Sequence, residues 1–525
     1  MTGTEARRWR YWLMAALVTA PALAGPKSEI PESALDPTLK NVVSVPPADW
    51  SAPPVEMATY KPAAKDVLTP PAFMAGAYEL AKTPPVLDWA ILPGQWRGGA
   101  LWSSWGDALY ASDGNFYCSI GDHHAPYGHS YIYRVNPKTR KIDLVVDFTK
   151  VLGTKFVEGG KTKELYAPGK IHGPLVEHGG WIYFSGYRGG LPYTTDKQQY
   201  DGDPLICYEL ATGKVENLGI PVPEVSHAAY RVVELDGKLC WCGLVQGGED
   251  IGGNKAPENF FVYNIADKKL VYYDGPKANA ARAFIITADG RAYYSTTLPP
   301  KAEQTAEYDK KVAEAEKGME GNKRKDKLLK GAIKKIARPT GPSILVMYDP
   351  KANKVVETKM VVPDDGVLRA ATRVASNGIA YCVTVEGTVF SVDTNRNTIQ
   401  KEYGRIVPKG GNGYTPVAKL DPTERYVYLL PGAHGLAHQD GSVVLRLDVA
   451  TGKLKALAFL NDYFRGKEHY NLGGAFGTAL SDDGSTLFIN WNGRPLDKQV
   501  SVGSKELIGF DLCSVMMLHI PESDR

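Results

Sequence analysis

One unit, two strands followed by a hairpin, recurs seven times along this 525-residue chain, and this repeat constrains the fold more than any other feature. Its clearest two-strand copy runs from Gly169 to Arg188, where apolar segments flank the glycine turn Gly179-Gly180. The turns of the seven units are Asp113-Gly114, Gly179-Gly180, Asp236-Gly237, Asp289-Gly290, Asn377-Gly378, Asp421-Pro422 and Asp483-Gly484. The hairpins that follow span residues 131–148, 205–218, 260–273, 344–356, 389–400, 443–455 and 507–516. Their apolar alternation and turn residues are typical of half-buried antiparallel strands.

Two strands and a hairpin make a four-stranded antiparallel sheet. Seven such sheets, at periods of roughly 45–60 residues, predict an all-β, seven-bladed β-propeller over residues 99–525. A β-sandwich array would repeat less regularly, and a β-solenoid would have shorter periods. Residues 299–340 interrupt blade four between its second and third strands. They read as a basic helical hairpin, because Lys301 to Arg338 contain 12 basic and 7 acidic residues.

The N-terminus predicts export. Residues 1–24 combine a basic segment, a short apolar segment and the small residues Ala22 and Ala24, which is typical of a cleaved signal peptide. An uncleaved anchor is the alternative. We therefore expect a secreted or periplasmic protein. Residues 25–98 hold 13 of the 36 prolines and predict an extended arm. The last blade lacks an outer strand, so we expect the arm, near Pro85 to Trp89, to supply one and close the ring.

Several classes of partner are disfavoured by composition. A formal net charge of +3 gives no indication of a nucleic-acid partner, and no later segment is long and apolar enough for stable membrane insertion. The six cysteines sit singly in strand patterns, which predicts buried free thiols. We expect a monomer without a nucleotide cofactor.

The histidines cluster on one predicted face. In a propeller, the loops before the first strand and after the second strand of each blade surround one mouth of the channel. Eight of the ten histidines map to these loops: His123, His124, His129, His172, His227, His434, His438 and His469. Arg282, Arg369 and Tyr414 also take strand-opening places, and Tyr187 with Arg188 follows the second strand of blade two.

Histidine, arginine and tyrosine around one mouth suit an anionic ligand. Each residue also has a structural explanation, as a solvated loop residue, a packed channel residue or an ion-pair partner. His434 and His438 are candidate ligands for one divalent metal ion, such as zinc, calcium or manganese.

This scaffold, with its His/Tyr/Arg mouth and export signal, resembles the propeller polysaccharide lyases of the ulvan lyase and oligogalacturonate lyase type. The resemblance implies β-elimination at a uronic acid in an anionic polysaccharide or oligosaccharide. His172 or His227 would be the base and Tyr230 or Tyr187 the acid. The residues expected to bind the carboxylate or sulfate are Arg188, Arg282, Arg369, Tyr414 and His129. The alternatives are a non-catalytic module that binds a polyanion or a partner protein, and a metal-dependent hydrolase or lactonase.

Overall fold

The computed structural model describes twelve segments of the chain. They are residues 54–95, 102–122, 129–152, 168–187, 202–223, 225–247, 258–273, 283–317, 341–496, 501–502, 505–506 and 512–525. Within them, seven antiparallel sheets of at least four strands follow one another and form a ring around a central channel. The predicted seven-bladed propeller is therefore confirmed.

Blades one to four occupy the first two thirds of the chain, and their strands are given from the channel outward. Blade one comprises Trp102–Ser103 with Leu109–Tyr110, Phe116–Asp122, Ser130–Val135 and Lys141–Asp147, extended by Val55–Glu56. Blade two comprises Val176–His178, Trp181–Ser185, Leu205–Glu209 and Val215–Asn217. Blade three comprises Val225–Leu235, Lys238–Gly247, Glu258–Asn264 and Lys269–Tyr273. Blade four comprises Ile285–Ile286, Ala292–Thr297, Ser343–Asp349 and Lys354–Val361.

Blades five to seven complete the ring. Blade five comprises Leu368–Ala371, Ile379–Thr384, Thr388–Asp393 and Thr398–Arg405. Blade six comprises Ala418–Leu420, Tyr426–Leu429, Val443–Asp448 and Leu454–Phe459, extended by the parallel strand Glu79–Leu80. Blade seven comprises Tyr470–Leu480, Thr486–Pro495, Leu512–His519, Val86–Ile91 and Ala58–Tyr60. Ser501–Val502 and Lys505–Glu506 form a separate two-stranded ribbon.

The helices lie outside the sheets. The α-helices are Ala64–Val67, Phe148–Val151, Ala302–Lys317 and Asn461–Lys467, and the 3₁₀ helices are Ala72–Met74, Pro363–Asp365, Ala437–Asp440 and Glu522–Asp524. Ala302–Lys317 has no buried residue, so it extends from blade four into solvent, as the predicted insertion requires. The second half of that predicted hairpin lies outside the described residues.

The N-terminal arm closes the ring, as predicted. Val86–Ile91 pairs antiparallel with Leu512–His519, so one blade contains strands from both ends of the propeller. Across this pair the His519 Nε2 lies 2.7 Å from Asp88 Oδ2. Burial raises the pKa of Asp88, but hydrogen bonds from His519 and Thr59 outweigh it and lower the pKa.

The prediction of a seventh hairpin at residues 507–516 is wrong for residues 512–516, and residues 507–511 lie outside the described residues. Leu512–His519 is one continuous strand, and six consecutive residues from Cys513 to Leu518 are fully buried between its two neighbours. Its outer neighbour comes from the arm instead of from a following strand. A strand that is covered on both faces loses the polar alternation from which a hairpin is recognised.

The core lies between neighbouring blades. Between blades two and three, for example, Tyr183 and Leu205 of blade two share one buried cluster with Tyr230 and Trp241 of blade three. All six cysteines are buried free thiols, as predicted. Within the described residues, no helix is long and apolar enough to cross a membrane.

Candidate functional site

The inner strands of five blades are irregular where they reach one mouth of the channel. In blade one, Trp105 lies in the break between Trp102–Ser103 and Leu109–Tyr110. In blade two, His172 lies between the isolated Lys170–Tyr187 bridge and the strand Val176–His178. The bulged residues of blades three, five and seven are Ala228, Arg369 and Phe476. Because a bulge re-aims a side chain without ending the strand, these irregularities turn five side chains toward one opening.

Three residues of blade two form what we call the lysine cluster: Lys170, His172 and Tyr187. The His172 and Tyr187 rings stack with centroids 4.6 Å apart and planes 29° apart. The Lys170 ammonium lies 4.2 Å from the centroid of Trp105 and 5.3 Å from that of Tyr187. Lys170 and Tyr187 are buried, and His172 is half-buried. The cation therefore lies in an aromatic, largely dry setting, where cation–π attraction is strongest.

The tautomer of His172 is set by its backbone contact. Its Nδ1 lies 2.7 Å from the carbonyl oxygen of Ala228, which can only accept. Nδ1 therefore carries the proton, and in the neutral ring Nε2 holds the lone pair. The bulge at Ala228 thus orients a histidine that lies on the neighbouring blade.

A second group, the arginine cluster, consists of Arg369, Tyr414 and His434. Arg369 Nε donates to the Tyr414 hydroxyl at 2.6 Å, and its guanidinium lies 4.9 Å from the centroid of the same ring. The Tyr414 and His434 rings meet edge to face at 4.4 Å. Arg369 is buried whereas His434 is exposed, so the cluster runs from the channel wall to the surface.

Two aromatic residues join the clusters. The ring centroids of Trp105 and Phe476 lie 4.8 Å apart. The Trp105 centroid also lies 6.4 Å from that of His172, and the Phe476 centroid lies 5.6 Å from the Arg369 guanidinium. The His434 ring packs against both, with centroids 5.6 Å from Trp105 and 5.5 Å from Phe476. The mouth is therefore an aromatic surface with a cation, a histidine and a tyrosine on each side.

His227 and Tyr230, predicted as base and acid, lie beneath this mouth and are fully buried. His227 Nδ1 contacts Ser185 Oγ at 2.6 Å, while Ser185 Oγ donates to Pro204 O at 3.0 Å. The Tyr230 hydroxyl accepts from Ser185 N at 3.1 Å. Burial lowers the pKa of His227 to about 3 and raises that of Tyr230 far above its usual value. Both rings therefore lie in the interface between blades two and three and not at the mouth, and their catalytic roles stay predictions.

The backbone of Gly173 at the mouth packs closely on the buried Tyr230 ring beneath it. A Cβ on Gly173 would lie 2.4 Å from the Tyr230 ring. Only glycine allows the backbone beside His172 to pack this tightly on the buried tyrosine.

His129, predicted as a substrate ligand, is also fully buried. Its Nδ1 lies 2.6 Å from Asp122 Oδ2, and its backbone N–H donates to Asp122 Oδ1 at 2.5 Å. Burial raises the pKa of Asp122 to about 6, although the contacts with His129 oppose this shift. His129 is therefore a buried partner of Asp122, and substrate binding by His129 stays a prediction.

Some predicted mouth residues lie outside the described residues, namely Arg188, Arg282, His123 and His124. The predicted signal peptide, residues 1–24, and residues 318–340 of the insertion also lie outside them.

The metal prediction concerns two histidines on the loop after the second strand of blade six. His438 Nδ1 lies 3.0 Å from Gly435 O, burial lowers the pKa of His438, and His434 packs against aromatic rings. Among the described residues, no group of three or more His, Cys, Asp or Glu side chains has the arrangement of a metal site. Metal binding by His434 and His438 stays a prediction.

Sequence reasoning missed Trp105, Lys170 and Phe476. A signal was present, because mouth residues lie eight or nine positions before the turn glycine of their blade. Trp105 lies nine before Gly114, and Phe476 lies eight before Gly484. His172 and Arg369 keep the same spacing from Gly180 and Gly378.

Comparisons with known proteins assign no family to this chain. No protein-family model matches the chain, and no curated protein matches it. Among solved structures, the Dos1 propeller is similar over 84% of this chain and 91% of its own, with 10% sequence identity and a TM-score of 0.40.

Proposed function

We propose that this protein is a secreted polysaccharide lyase that cleaves a uronic-acid-containing anionic polysaccharide by β-elimination at the propeller mouth. One observation carries the proposal: His172 stacks on Tyr187 at 4.6 Å, beside the Lys170 ammonium. β-Elimination needs a base, an acid and a cation for the carboxylate, and this cluster holds one of each.

His172 is the proposed base. With its Nδ1 proton donated to Ala228 O, the neutral ring presents Nε2 as the atom that takes the C5 proton of the uronate. The bond to the backbone also stabilises the imidazolium that forms, because the carbonyl oxygen continues to accept from Nδ1–H.

Tyr187 is the proposed acid, and its hydroxyl protonates the departing glycosidic oxygen. Arg369 and Lys170 neutralise the uronate carboxylate, which stabilises the enolate-like charge that develops after C5 deprotonation. A sugar ring placed on Trp105 and Phe476 has both cations within its neighbourhood. The aromatic surface supplies the stacking platform that carbohydrate binding requires.

The test is to mix purified protein with a panel of uronic-acid polymers and follow ultraviolet absorbance from the new C4=C5 double bond. The proposal predicts an increase with at least one polymer, accompanied by shorter chains. Tight binding to one polymer without any absorbance change would contradict catalysis and favour the polyanion-binding module. Loss of turnover with a chelator, restored by one divalent metal, would show a metal-assisted reaction and return attention to His434 and His438.

A further inference from the structure

A small cavity continues the mouth into the channel, and Trp105, His172, Arg369 and Phe476 line both. It has a free volume of about 50 Å³ and is lined by residues from all seven blades. This is several times the roughly 10–15 Å³ that one water molecule needs. Much of its wall is apolar and small, with Ala228, Ala229, Ala283, Ala370, Ala371 and Ala418. Small side chains leave the central space open between the charged residues of the wall.

One cation in this cavity lacks a counter-ion among the described residues. Arg231 lines the cavity, and the hydrogen bond that its guanidinium makes to a described residue is Nη1 to Tyr230 O at 2.8 Å. The guanidinium also lies 5.6 Å from the Phe284 centroid. Arg231 is half-buried, and burial lowers the pKa of its guanidinium.

The acidic residue of the cavity is already neutralised. Asp107 accepts from the Lys419 ammonium and, at 2.9 Å, from Thr478 N. Asp107 raises the pKa of Arg231 through space, yet burial outweighs this attraction. With Arg369 also on the wall, the charges of the described residues that line the cavity sum to a positive value.

We propose that this channel cavity binds one small anion, a carboxylate or an oxyanion, through the free donors of the Arg231 guanidinium, with Arg369 at its rim. A guanidinium offers several N–H donors in a planar fork that matches the geometry of carboxylate and sulfate oxygens. Inside the channel, solvent screens this attraction less than at the open surface.

Two sources supply such an anion: a free small anion, or a carboxylate or sulfate group that belongs to a bound polymer. In the second case the inference rests on the proposed function. If the anion is a free small molecule, the inference does not depend on catalysis.

The experiment is isothermal titration of the full chain at constant ionic strength in a chloride-free buffer. The probes are acetate, sulfate, galacturonate and a uronate oligosaccharide. The variants are R231Q and, as a control with the same loss of charge, R396Q, whose side chain is 79% exposed on a turn of blade five. Wild type and R396Q are expected to bind at least one probe saturably, and R231Q at least about tenfold more weakly, since hydrogen bonds to charged groups contribute more than neutral ones. Binding of acetate or sulfate identifies a free anion, whereas binding of the oligosaccharide alone identifies a group of the polymer.

Equal affinity of wild type and folded R231Q for every probe would overturn the inference, as would the lack of saturable binding to wild type. If R231Q fails to fold, the anion affinity of R231K is measured instead. It keeps the charge but loses the fork, so we expect at least about threefold weaker binding. Affinity equal to wild type in R231K would count against the site. The readout is binding, so a chain that binds an anion without cleaving any polymer would refute the lyase proposal and leave the anion site standing.

Discussion

His172 and His227 open the first strands of adjacent blades, yet they occupy different environments. His172 is half-buried at the mouth, where it stacks on Tyr187 at 4.6 Å. His227 is fully buried one level below, where it contacts Ser185 Oγ at 2.6 Å and packs on Phe261. We propose the first histidine as the base, whereas the second contacts Ser185 across the interface of blades two and three.

The difference comes from strand register. His172 lies eight residues before the turn glycine Gly180, whereas His227 lies ten before Gly237. At eight and nine residues before Gly237, blade three carries Ala229 and Ala228, and both line the channel. Two residues of offset therefore move a side chain from the mouth into the blade interface.

The largest predicted effect is on turnover. Replacing His172 with Ala removes the proposed base, and we expect kcat on a cleavable uronate polymer to fall by about 10²- to 10⁴-fold. The midpoint of urea unfolding should change little, because the ring is only half-buried. Unchanged turnover in His172→Ala would contradict the proposed role of His172 as the base.

The next effect is on stability. His227→Ala removes a buried ring and its hydrogen bond to Ser185, so the free energy of unfolding should fall by about 2–4 kcal/mol. His178→Ala is the matched control, since that histidine is 39% exposed, and its change should stay within about 0.5 kcal/mol. Urea titrations of both variants measure this, and similar losses would refute the structural role of His227.

The pH dependence of stability should also distinguish the buried His227 from the mouth histidine His172. The pKa of His227 is about 3 in the folded protein and roughly 6.5 when unfolded. Between these values the unfolded chain binds a proton that the folded chain does not, so the contribution of His227 to stability is lost as pH falls below about 6.5. Relative to His227→Asn, wild type should lose about 2 kcal/mol more between pH 7 and pH 5. Parallel pH profiles for the two proteins would contradict this.

A tyrosine pair sharpens the comparison further. Tyr187→Phe should lower kcat by about 10²-fold or more, because it removes the proposed acid. Tyr230→Phe leaves the Ser185 N–H without its acceptor and should cost about 1–2 kcal/mol of stability with kcat per folded molecule preserved. Interchanged phenotypes would mean that the buried tyrosine carries the chemistry.

The fold was predictable because turn residues and the alternation of apolar and polar residues mark each repeat. Asp236-Gly237 and Asn377-Gly378 mark their turns by residue type, and hairpins such as 389–400 keep a polar outer face. The closing strand was predictable from the apolar segment after Pro85. The third strand of blade seven was not, because it is buried on both faces and lacks alternation.

The site was predictable only in part. Residue types at strand openings pointed to the mouth where the structure brings His172 onto Tyr187 and Arg369 onto Tyr414. Depth was not predictable, since bulges at Ala228 and Arg369 shift the register by one residue and reverse which face a side chain occupies. Lys170 was missed because a lysine ten residues before its turn glycine reads as a solvated residue, whereas its long stem carries the ammonium onto Trp105.

The most direct test compares His172→Ala and His227→Asn in one assay. Initial rates of ultraviolet absorbance increase are measured at pH 7 on the polymer that wild type cleaves, and are normalised to the folded fraction. We predict a rate near background for His172→Ala and a rate close to wild type for His227→Asn. A normal rate for His172→Ala together with a lost rate for His227→Asn would contradict the assignment of the mouth as the catalytic level.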